Sequence, residues 1–339
     1  MPPGASPGFE NCSPLESPLD RMLPISIIIP TYNRSTPLRR ALQSVLDQDF
    51  PRADYEILVV DNASTDATRA VAEEAMQTHG GHAIRYLYEP IPGLLPGRHR
   101  GAAESRGSIL VFIDDDIEAD RGWLAAIHDA FRDPAVHIVG GRNLPNYAVP
   151  PPPWIDQVWT RGPDYAYCGF YSLLDFGERR REIDADYIWG LNFSIRRETL
   201  YRLGGFHPDT VPRRFQRYQG DGETGLTIKL KEQGLKAIYE PGALVRHLVP
   251  AERLTVDYLE RRHYFQGVCD SYTAIRKTRG FKFYLYAPLF PASEQELIAY
   301  RIQTAYTCGY NYHQVEVKKD PRLFDWVLRE NYFDYRYPE

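Results

Sequence analysis

The sequence predicts an α/β fold, in which a mixed but mostly parallel sheet carries helices on both faces and a helical extension follows at the C-terminus. Short apolar, β-branched runs alternate with segments of helical periodicity over the first 140 residues, as in a parallel sheet with right-handed crossovers. The run at residues 109–113 ends directly in three carboxylates, Asp114, Asp115 and Asp116. Open α/β sheets bind ligands at the carboxyl ends of their strands, so we expect the functional site there.

The composition excludes several other classes of protein. A chain of 339 residues with 43% apolar residues can bury a large core, and a net charge of −5 argues against a nucleic-acid binder, which needs a basic face. The four cysteines lie far apart, so neither a zinc cluster nor a disulfide framework is indicated, and a cytoplasmic location fits best. We find no apolar run near the roughly 18 residues of a transmembrane span and no signal peptide.

The predicted domain begins after a short leader. Residues 1–22 are expected to be disordered, because five prolines stand among small polar residues in the first 20 positions. Residues 23–254 are expected to form the main domain. Its first strand, residues 25–29, is almost continuously apolar, as in a strand covered on both faces, and Pro30-Thr31-Tyr32-Asn33 ends it.

A helix should follow this strand, with Thr36 as its N-cap and Pro37 in its first helical position. Strands and helices then alternate to the end of a first half, residues 23–141. The other elements predicted in this half are strands at residues 56–60, 84–88, 108–113 and 136–139, and helices that end at residue 76 and span residues 94–106 and 121–131.

The second half, residues 142–254, is less regular. Four consecutive prolines precede Trp154 within residues 142–185, which predicts a long irregular insertion, and loops of this length are usually functional.

Residues 255–339 look mainly helical, and their many tyrosines with balanced charge favour packing or an interface, so a homo-oligomer through this region is possible. We also predict helices ending at residue 203 and spanning 223–233, strands at 236–239 and 243–247, and an apolar helical stripe of Leu297, Ile298, Ile302, Ala305 and Tyr306.

The three adjacent aspartates indicate a divalent cation. Neighbouring carboxylates repel one another, and a bound cation removes that repulsion, although three solvated loop acids are the alternative. Oxygen ligands at the end of a strand suit Mg²⁺ or Mn²⁺, which typically share one or two protein carboxylates with the phosphates of a nucleotide.

Four motifs in order resemble the inverting glycosyltransferases of family 2, which have a GT-A fold. They are Pro30-Thr31-Tyr32-Asn33 after the first strand, Val59-Val60-Asp61-Asn62 after the second, Gly97-Arg98-His99-Arg100-Gly101 in the third helix, and the aspartates after the fourth strand. The resemblance covers roughly residues 23–247. It implies a metal-dependent hexosyltransferase that uses a nucleotide sugar, with UDP favoured, and that binds the nucleotide with residues 23–141 and the acceptor with residues 142–254.

The resemblance assigns the first two motifs to the nucleotide. It implies that Asp61 accepts a hydrogen bond from the uracil N3–H, and that Tyr32 lies against the base or ribose beside Pro30, Thr31 and Asn33. A carboxylate can accept from an imide N–H that cytosine lacks, and an aromatic ring offers a base a stacking surface. A helix-capping Asp61 and a core-packed Tyr32 are the alternatives.

The resemblance also implies how the diphosphate and metal are held. Arg98 would bind the pyrophosphate as a bidentate anion clamp, with a plain solvated helix as the alternative. The family's Asp-x-Asp maps onto Asp114 and Asp116. This mapping makes Asp116 a metal ligand, and Asp114 would hold the ribose or a metal-bound water. A one-residue shift would move the ligand to Asp115. His247 matches the family's Val-x-His and would be a further ligand, or a contact to the diphosphate.

The family's catalytic acid falls within Gly220–Leu226, where this sequence departs from the usual pattern. Alignment of the apolar residues that follow puts Glu223 in the position of the general base, with Asp221 as the alternative candidate, while helix capping would also explain an acid here. Trp189 and Gly190 lie where relatives contact the donor and acceptor sugars, with core packing of Trp189 as the alternative. The base would remove the acceptor's proton as the acceptor attacks the anomeric carbon.

Two other functions remain open. A catalytically silent sugar-nucleotide-binding protein would explain the shifted acids around Glu223. A nucleotidyltransferase on a similar fold would need a Gly-rich phosphate loop after the first strand, and Pro30-Thr31-Tyr32-Asn33 is not one. The sequence specifies neither the sugar nor the acceptor.

Overall fold

The computed structural model describes residues 23–79, 83–285, 291–334 and 337. The predicted leader, residues 1–22, lies outside the described residues. The strands are β1 (Leu23–Thr31), β2 (Tyr55–Asp61), β3 (Ala83–Tyr88), β4 (Gly107–Ile113), β5 (Ile117–Ala119), β6 (Val136–Tyr147), β7 (Thr160–Gly162), β8 (Tyr165–Cys168), β9 (Leu173–Asp175), β10 (Arg181–Glu182), β11 (Asn192–Arg196) and β12 (Lys236–Val249). The helices are α1 (Ser35–Leu46), α2 (Thr68–Thr78), α3 (Leu94–Glu104), α4 (Trp123–Ala130), α5 (Arg197–Arg202), α6 (Thr224–Glu232), α7 (Val256–Thr278), α8 (Glu294–Lys319) and α9 (Pro321–Val327).

The strands form one mixed sheet in the order β3-β2-β1-β4-β11-β6-β9-β8-β7. The first four strands on this path are parallel to one another, whereas β11 runs antiparallel between β4 and β6. The long strand β12 pairs with β6 in parallel and with β5 and β10 in the opposite direction. The predicted fold class, a mostly parallel mixed sheet with a helical extension, is confirmed.

Apolar cores cover the two faces of the sheet. Ile27 and Ile29 of β1 point into a core with α1, α2 and α4, while Ile28 between them points into a core with the other helices. A strand buried on both faces explains why its sequence is almost continuously apolar. Gly101 lets α3 lie close to the sheet, since a Cβ there would stand 2.3 Å from a methyl group of Ile28.

Several local predictions are corrected by contacts between distant segments. Helix α1 begins at Ser35, whose N–H is bound by the carboxylate of Asp66 from the next loop, so the prediction of Thr36 as N-cap is wrong. The two strands predicted between residues 236 and 247 are one strand, β12, with an irregularity in its pairing between Glu240 and Val245. The insertion also contains short strands, and β6 runs on into it.

The C-terminal helices pack on the sheet as well as on one another. Helices α7 and α8 approach closely at Gly267 and Gly309, where an added Cβ would lie 2.1 Å and 1.9 Å from a carbonyl oxygen of the other helix. Tyr272 of α7 and Trp326 of α9 belong to the same core as Ile28. In the predicted stripe on α8, Ile298 is buried, but Leu297 is 44% exposed and that part of the prediction is wrong.

None of the helices in the described residues combines the length and the apolar character needed to cross a membrane.

Candidate active site

Three strand ends bring the predicted motifs together at one edge of the sheet. Strands β1 and β2 are in register so that Thr31 lies beside Asp61, and β4 runs along the other side of β1. The hydroxyl of Thr31 donates to Asp115 Oδ2 over 2.7 Å. The first and fourth motifs are therefore joined directly.

Asp61 is buried at the end of β2 and both of its oxygens accept hydrogen bonds. Oδ1 accepts from the backbone N–H of Ser64 at 2.8 Å, and Oδ2 accepts from the hydroxyl of Tyr86 at 2.7 Å. Burial and this contact raise the pKa of Tyr86, so it remains the donor. Helix α2 begins later and its first N–H is bound by Asp66, so Asp61 is not a helix cap. Its carboxylate has a fixed position and lone pairs left to accept further bonds.

The loop after β1 is held in a defined shape next to Asp61. Asn33 adopts a left-handed backbone conformation with φ of 52°, and its side-chain oxygen accepts from the N–H of Thr65 at 2.7 Å. Tyr32 is 58% exposed, which excludes the alternative of core packing. Pro30 lies against α3, where an added Cβ on Gly97 would be 3.1 Å from its ring.

The three aspartates have different surroundings. Asp115 also pairs with Arg34, whose Nε lies 2.7 Å from Oδ1, and burial raises the pKa of Asp115 to about 7 against the opposing effect of Arg34. Asp116 is bound by Arg34 Nη2 at 2.6 Å and by Arg253 Nη2 at 3.1 Å. Asp114 faces Arg98, with 4.0 Å between Oδ1 and Nη2.

His247 lies beside Asp116, and a backbone carbonyl fixes one of its ring nitrogens. Its Nδ1 is 2.7 Å from the carbonyl oxygen of Tyr171 and must carry the proton, while Nε2 is 3.2 Å from Arg253 Nη1, which can only donate. The lone pair of Nε2 therefore accepts from Arg253, and Asp116 Oδ1 lies 3.4 Å from the same nitrogen. A histidine fixed by a backbone carbonyl is the usual arrangement around protein-bound metals.

The predicted ligand set of Asp114, Asp116 and His247 is not assembled as a whole. Within the described ranges, no three histidine, cysteine, aspartate or glutamate side chains are placed to hold a metal ion together. Asp114 lies toward Arg98 instead, because that guanidinium offers it a positive charge. Asp116 and His247 fit a divalent cation only if the remaining ligands come from elsewhere, as the oxygens of a bound diphosphate could provide.

Arg98 is buried and contacts Glu223, the residue that directly precedes α6. Its guanidinium lies over the ring of Phe206 at 5.0 Å, and Nη1 is 3.3 Å from Glu223 Oε2. The side chain is 3% exposed, so the alternative of a solvated helix face is wrong. Gly190 is required at its position, since an added Cβ would lie 2.0 Å from Arg98 Nη2.

Glu223 is oriented by two donors and remains accessible. The backbone N–H of Gly190 donates to Oε1 at 3.0 Å, and Arg98 contacts Oε2. The carboxylate is therefore bound by these groups and does not cap the N–H groups of α6. With 22% of the side chain exposed, a substrate hydroxyl can reach it.

Asp221 has a different environment, although it lies only two residues earlier. Oδ1 accepts from His207 Nδ1 at 2.6 Å, and Oδ2 accepts from the hydroxyl of Thr273 on α7 at 2.6 Å. Burial by itself would raise the pKa of Asp221, but the pairing with His207 and the hydrogen bond from Thr273 outweigh it and lower the pKa. Asp221 therefore ties the loop before α6 to the C-terminal extension.

Trp189 is half-buried in an aromatic cluster. Its indole N–H donates to the carbonyl oxygen of Asp186 at 3.0 Å, and its ring lies 6.4 Å from that of Tyr167. The same cluster includes Phe176. Phe176 also lines a cavity of about 760 Å³ in the insertion, which has charged walls formed by Arg142, Asp175, Glu178 and Arg181. The insertion thus offers a polar cavity with aromatic surfaces next to the cluster that holds Trp189.

Arg34 and Arg253 are site residues that the sequence analysis missed. Arg34 directly follows Asn33, so its place at the end of the first motif is a signal that could have suggested it. Arg253 stands six residues after His247, beyond the end of β12, and no local pattern distinguishes it. Both arginines hold Asp116, which makes them part of the candidate cation site.

Comparison with known proteins adds an independent observation. The model of the family described as glycosyl transferase family 2 matches residues 26–204. Glycosyltransferase AglE of Haloferax volcanii is 32% identical over 117 residues, which are 34% of this chain and 38% of that protein. The glucosyl-dolichyl phosphate glucuronosyltransferase of the same organism is 26% identical over 255 residues, 72% of this chain and 75% of that protein.

A third relative and a solved structure extend the comparison. The pre-mycofactocin glycosyltransferase of Mycobacterium tuberculosis is 26% identical over 249 residues, 72% of this chain and 46% of that protein. The chain thus spans between 38% and 75% of the length of these curated relatives. Mannosyltransferase PcManGT from Pyrobaculum calidifontis, solved in complex with GDP-Man and Mn²⁺, aligns with a TM-score of 0.54 and 21% identity over 92% of this chain and 79% of its own. This likeness confirms the predicted GT-A fold.

Proposed function

The chain belongs to glycosyl transferase family 2, and from this premise we propose that it transfers a sugar, with inversion, from a nucleotide-sugar donor to an acceptor that Glu223 deprotonates. The observation that carries the proposal is the placement of Glu223, which is oriented by Gly190 and Arg98 and faces the strand ends that hold the aspartates. A carboxylate with a fixed orientation and an accessible edge suits a general base.

The donor is proposed to be a UDP-sugar that lies along the ends of β1, β2 and β4. The fixed carboxylate of Asp61 supports this, since it can accept from the imide N–H of uracil, and the exposed ring of Tyr32 supports a stacking contact. Guanine also has an N–H to donate, and the mannosyltransferase of similar fold was solved with GDP-Man. GDP-sugars are therefore the proper comparison in any binding test.

A divalent cation, Mn²⁺ or Mg²⁺, is proposed to accompany the donor. Asp116 and the Nε2 lone pair of His247 would hold it, and the bound cation would neutralise charge on the diphosphate. Arg253 and Arg34 now contribute positive charge at Asp116, so these side chains are expected to shift toward diphosphate oxygens when a cation binds.

The chain's own residues account for the proton transfer. The acceptor hydroxyl gives its proton to Glu223 as its oxygen forms a bond to the anomeric carbon, and the bond from that carbon to the diphosphate oxygen breaks. Gly190 fixes the orientation of the carboxylate through its N–H, and the absence of a side chain on Gly190 leaves room for Arg98. We assign the acceptor to the side of Trp189 and the neighbouring cavity of the insertion.

Donor binding and donor turnover test this proposal together. Thermal melting of the full chain should show stabilisation by UDP with Mn²⁺ that exceeds stabilisation by GDP, and a chelator should reverse it, because a ligand that binds the native state raises the melting temperature. Release of nucleoside diphosphate from UDP-sugars should then be detectable by chromatography. Stabilisation without any release would favour the silent binding protein, and equal effects of UDP with and without chelator would refute the metal assignment.

A further inference from the structure

An exposed apolar segment, residues 281–285, follows the end of α7. All five side chains of residues 281–285 are exposed, including Phe283 at 42% and Leu285 at 98%. Four of the large hydrophobic side chains that are exposed belong to this segment, and no other stretch of five described residues contains more than one. Such a concentration of apolar surface marks an interaction site rather than scattered surface residues.

The backbone of this segment is held in place, so its exposure does not come from a lack of anchoring. The N–H of Lys282 donates to Gln314 Oε1 at 3.0 Å, and the N–H and carbonyl of Tyr284 both bond to the side chain of Asn311, at 2.9 and 2.8 Å. Gln314 is itself fully buried and donates to Ser271 Oγ of α7 at 2.9 Å. The interior of the α7–α8 pair therefore fixes the backbone of an exposed segment, in which the rings of Phe281 and Tyr284 also contact Phe324 and Tyr310.

The sequence on either side of the segment is basic, in contrast to the chain as a whole. Residues 271–293 contain no aspartate or glutamate, although the whole chain carries a net charge of −5. Two amino groups lie over exposed rings, Lys282 Nζ at 5.2 Å from Tyr284 and Lys318 Nζ at 5.7 Å from Phe283. The basic residues within residues 271–293 are Arg276, Lys277, Arg279 and Lys282.

We propose that residues 281–285 dock on the surface of an anionic lipid bilayer. Aromatic and leucine side chains partition into the boundary between headgroups and acyl chains, and lysines beside them extend to the phosphates while their methylene groups stay in the apolar layer. Lys282 and Lys318, which lie over the exposed rings, complement the anionic headgroups that a bilayer surface provides. This inference does not depend on the proposed function, because it uses a face of the C-terminal extension.

The test is co-sedimentation of the full chain with vesicles. Vesicles of phosphatidylcholine mixed with phosphatidylglycerol should bind the protein, and vesicles of phosphatidylcholine alone should bind it much less. Leu285→Asp should weaken binding by at least about tenfold, because it removes the most exposed apolar side chain and adds a repelling charge. Lys318→Glu should weaken binding to the anionic vesicles selectively.

Phe265→Ser is the matched control, because it removes an exposed ring on α7 about 20 Å along the helix from the segment. It should bind vesicles as the unchanged protein does, and melting curves should show that all variants fold. Absence of binding to the anionic vesicles, or binding that Leu285→Asp leaves unchanged, would overturn the proposal. A change from dimer to monomer in Leu285→Asp without vesicle binding would assign the segment to contacts between copies instead.

Discussion

Replacement of Glu223 by glutamine removes the proposed base while it keeps the size of the side chain. The amide oxygen of glutamine can still accept the N–H of Gly190, so the loop before α6 should hold its position. A positioned base typically contributes about 10² to 10⁴ in rate. At about 1.36 kcal/mol per tenfold change, the loss is about 2.7–5.4 kcal/mol of transition-state stabilisation, and the donor's dissociation constant should change little.

Asp221→Asn is the comparison that separates catalysis from structure. Asp221 is buried between His207 and Thr273, and its replacement leaves one of these donors without a good acceptor. The expected cost is about 1–3 kcal/mol in the free energy of unfolding, with turnover by the folded protein near that of the unchanged chain. Glu223→Gln should show the reverse pattern, since its side chain is partly exposed and its amide oxygen can still accept from Gly190, with only the contact to Arg98 lost.

The assay measures two quantities on both variants. Nucleoside diphosphate released from a UDP-sugar by water reports turnover without a known acceptor, and urea unfolding reports stability. The reasoning is refuted if Glu223→Gln keeps its hydrolysis rate while folded Asp221→Asn loses it, because Asp221 would then carry the proton transfer.

Three further predictions concern the metal, pH and the C-terminal extension. Asp116→Asn should abolish the part of UDP binding that depends on Mn²⁺ in calorimetry, whereas Asp120→Asn, a nearby exposed acid, should not; equal loss in both would remove the special role of Asp116. His99 accepts from the N–H of Phe206 and donates to a carbonyl oxygen, and burial lowers its pKa from 6.5 to about 3. The unfolded chain therefore takes up this proton first, and stability is lost as pH falls from about 6.5 toward 3. Urea unfolding of His99→Asn should show a shallower fall than the unchanged protein, by up to about 1.4 kcal/mol per pH unit, and parallel curves would contradict this. Thr273→Val should lower the free energy of unfolding by about 1–2 kcal/mol, while Thr278→Val, an exposed threonine of the same helix, should have a smaller effect; equal effects would show that the bond to Asp221 is not special.

The parallel half of the fold could be predicted because each of its strands and helices has a signal within its own short stretch of sequence. The buried strands β1, β2 and β4 each contain a run of at least three consecutive apolar residues, and turn residues follow each strand, so the order of elements is visible in the sequence. The wrong N-cap at Thr36 has a non-local cause, since Asp66 from another loop binds the start of α1. The three-residue strand β5 lacks a local signal because pairing with β12 creates it.

The candidate site was predicted in outline for the same reason. Motifs at strand ends place Asp61 and the three aspartates together, because parallel strands end at one edge. The environment of each acid could not be predicted, since it depends on side chains that arrive from elsewhere. Arg253 on Asp116 and Thr273 on Asp221 come from regions far along the chain. The roles of these site residues stay predictions until the variants are measured.

The bond from Thr273 to Asp221 bears on how relatives of this chain could be recombined. The family match ends at residue 204, before the loop that carries both Asp221 and Glu223. A hydrogen bond from Thr273 joins that loop to α7. A hybrid enzyme that takes this loop from one relative and its C-terminal helices from another would therefore lose the hydrogen bond, even if each part is stable in the relative it comes from. The loop and α7 have to be inherited together, so divergence at position 221 should be matched by divergence at positions 207 and 273.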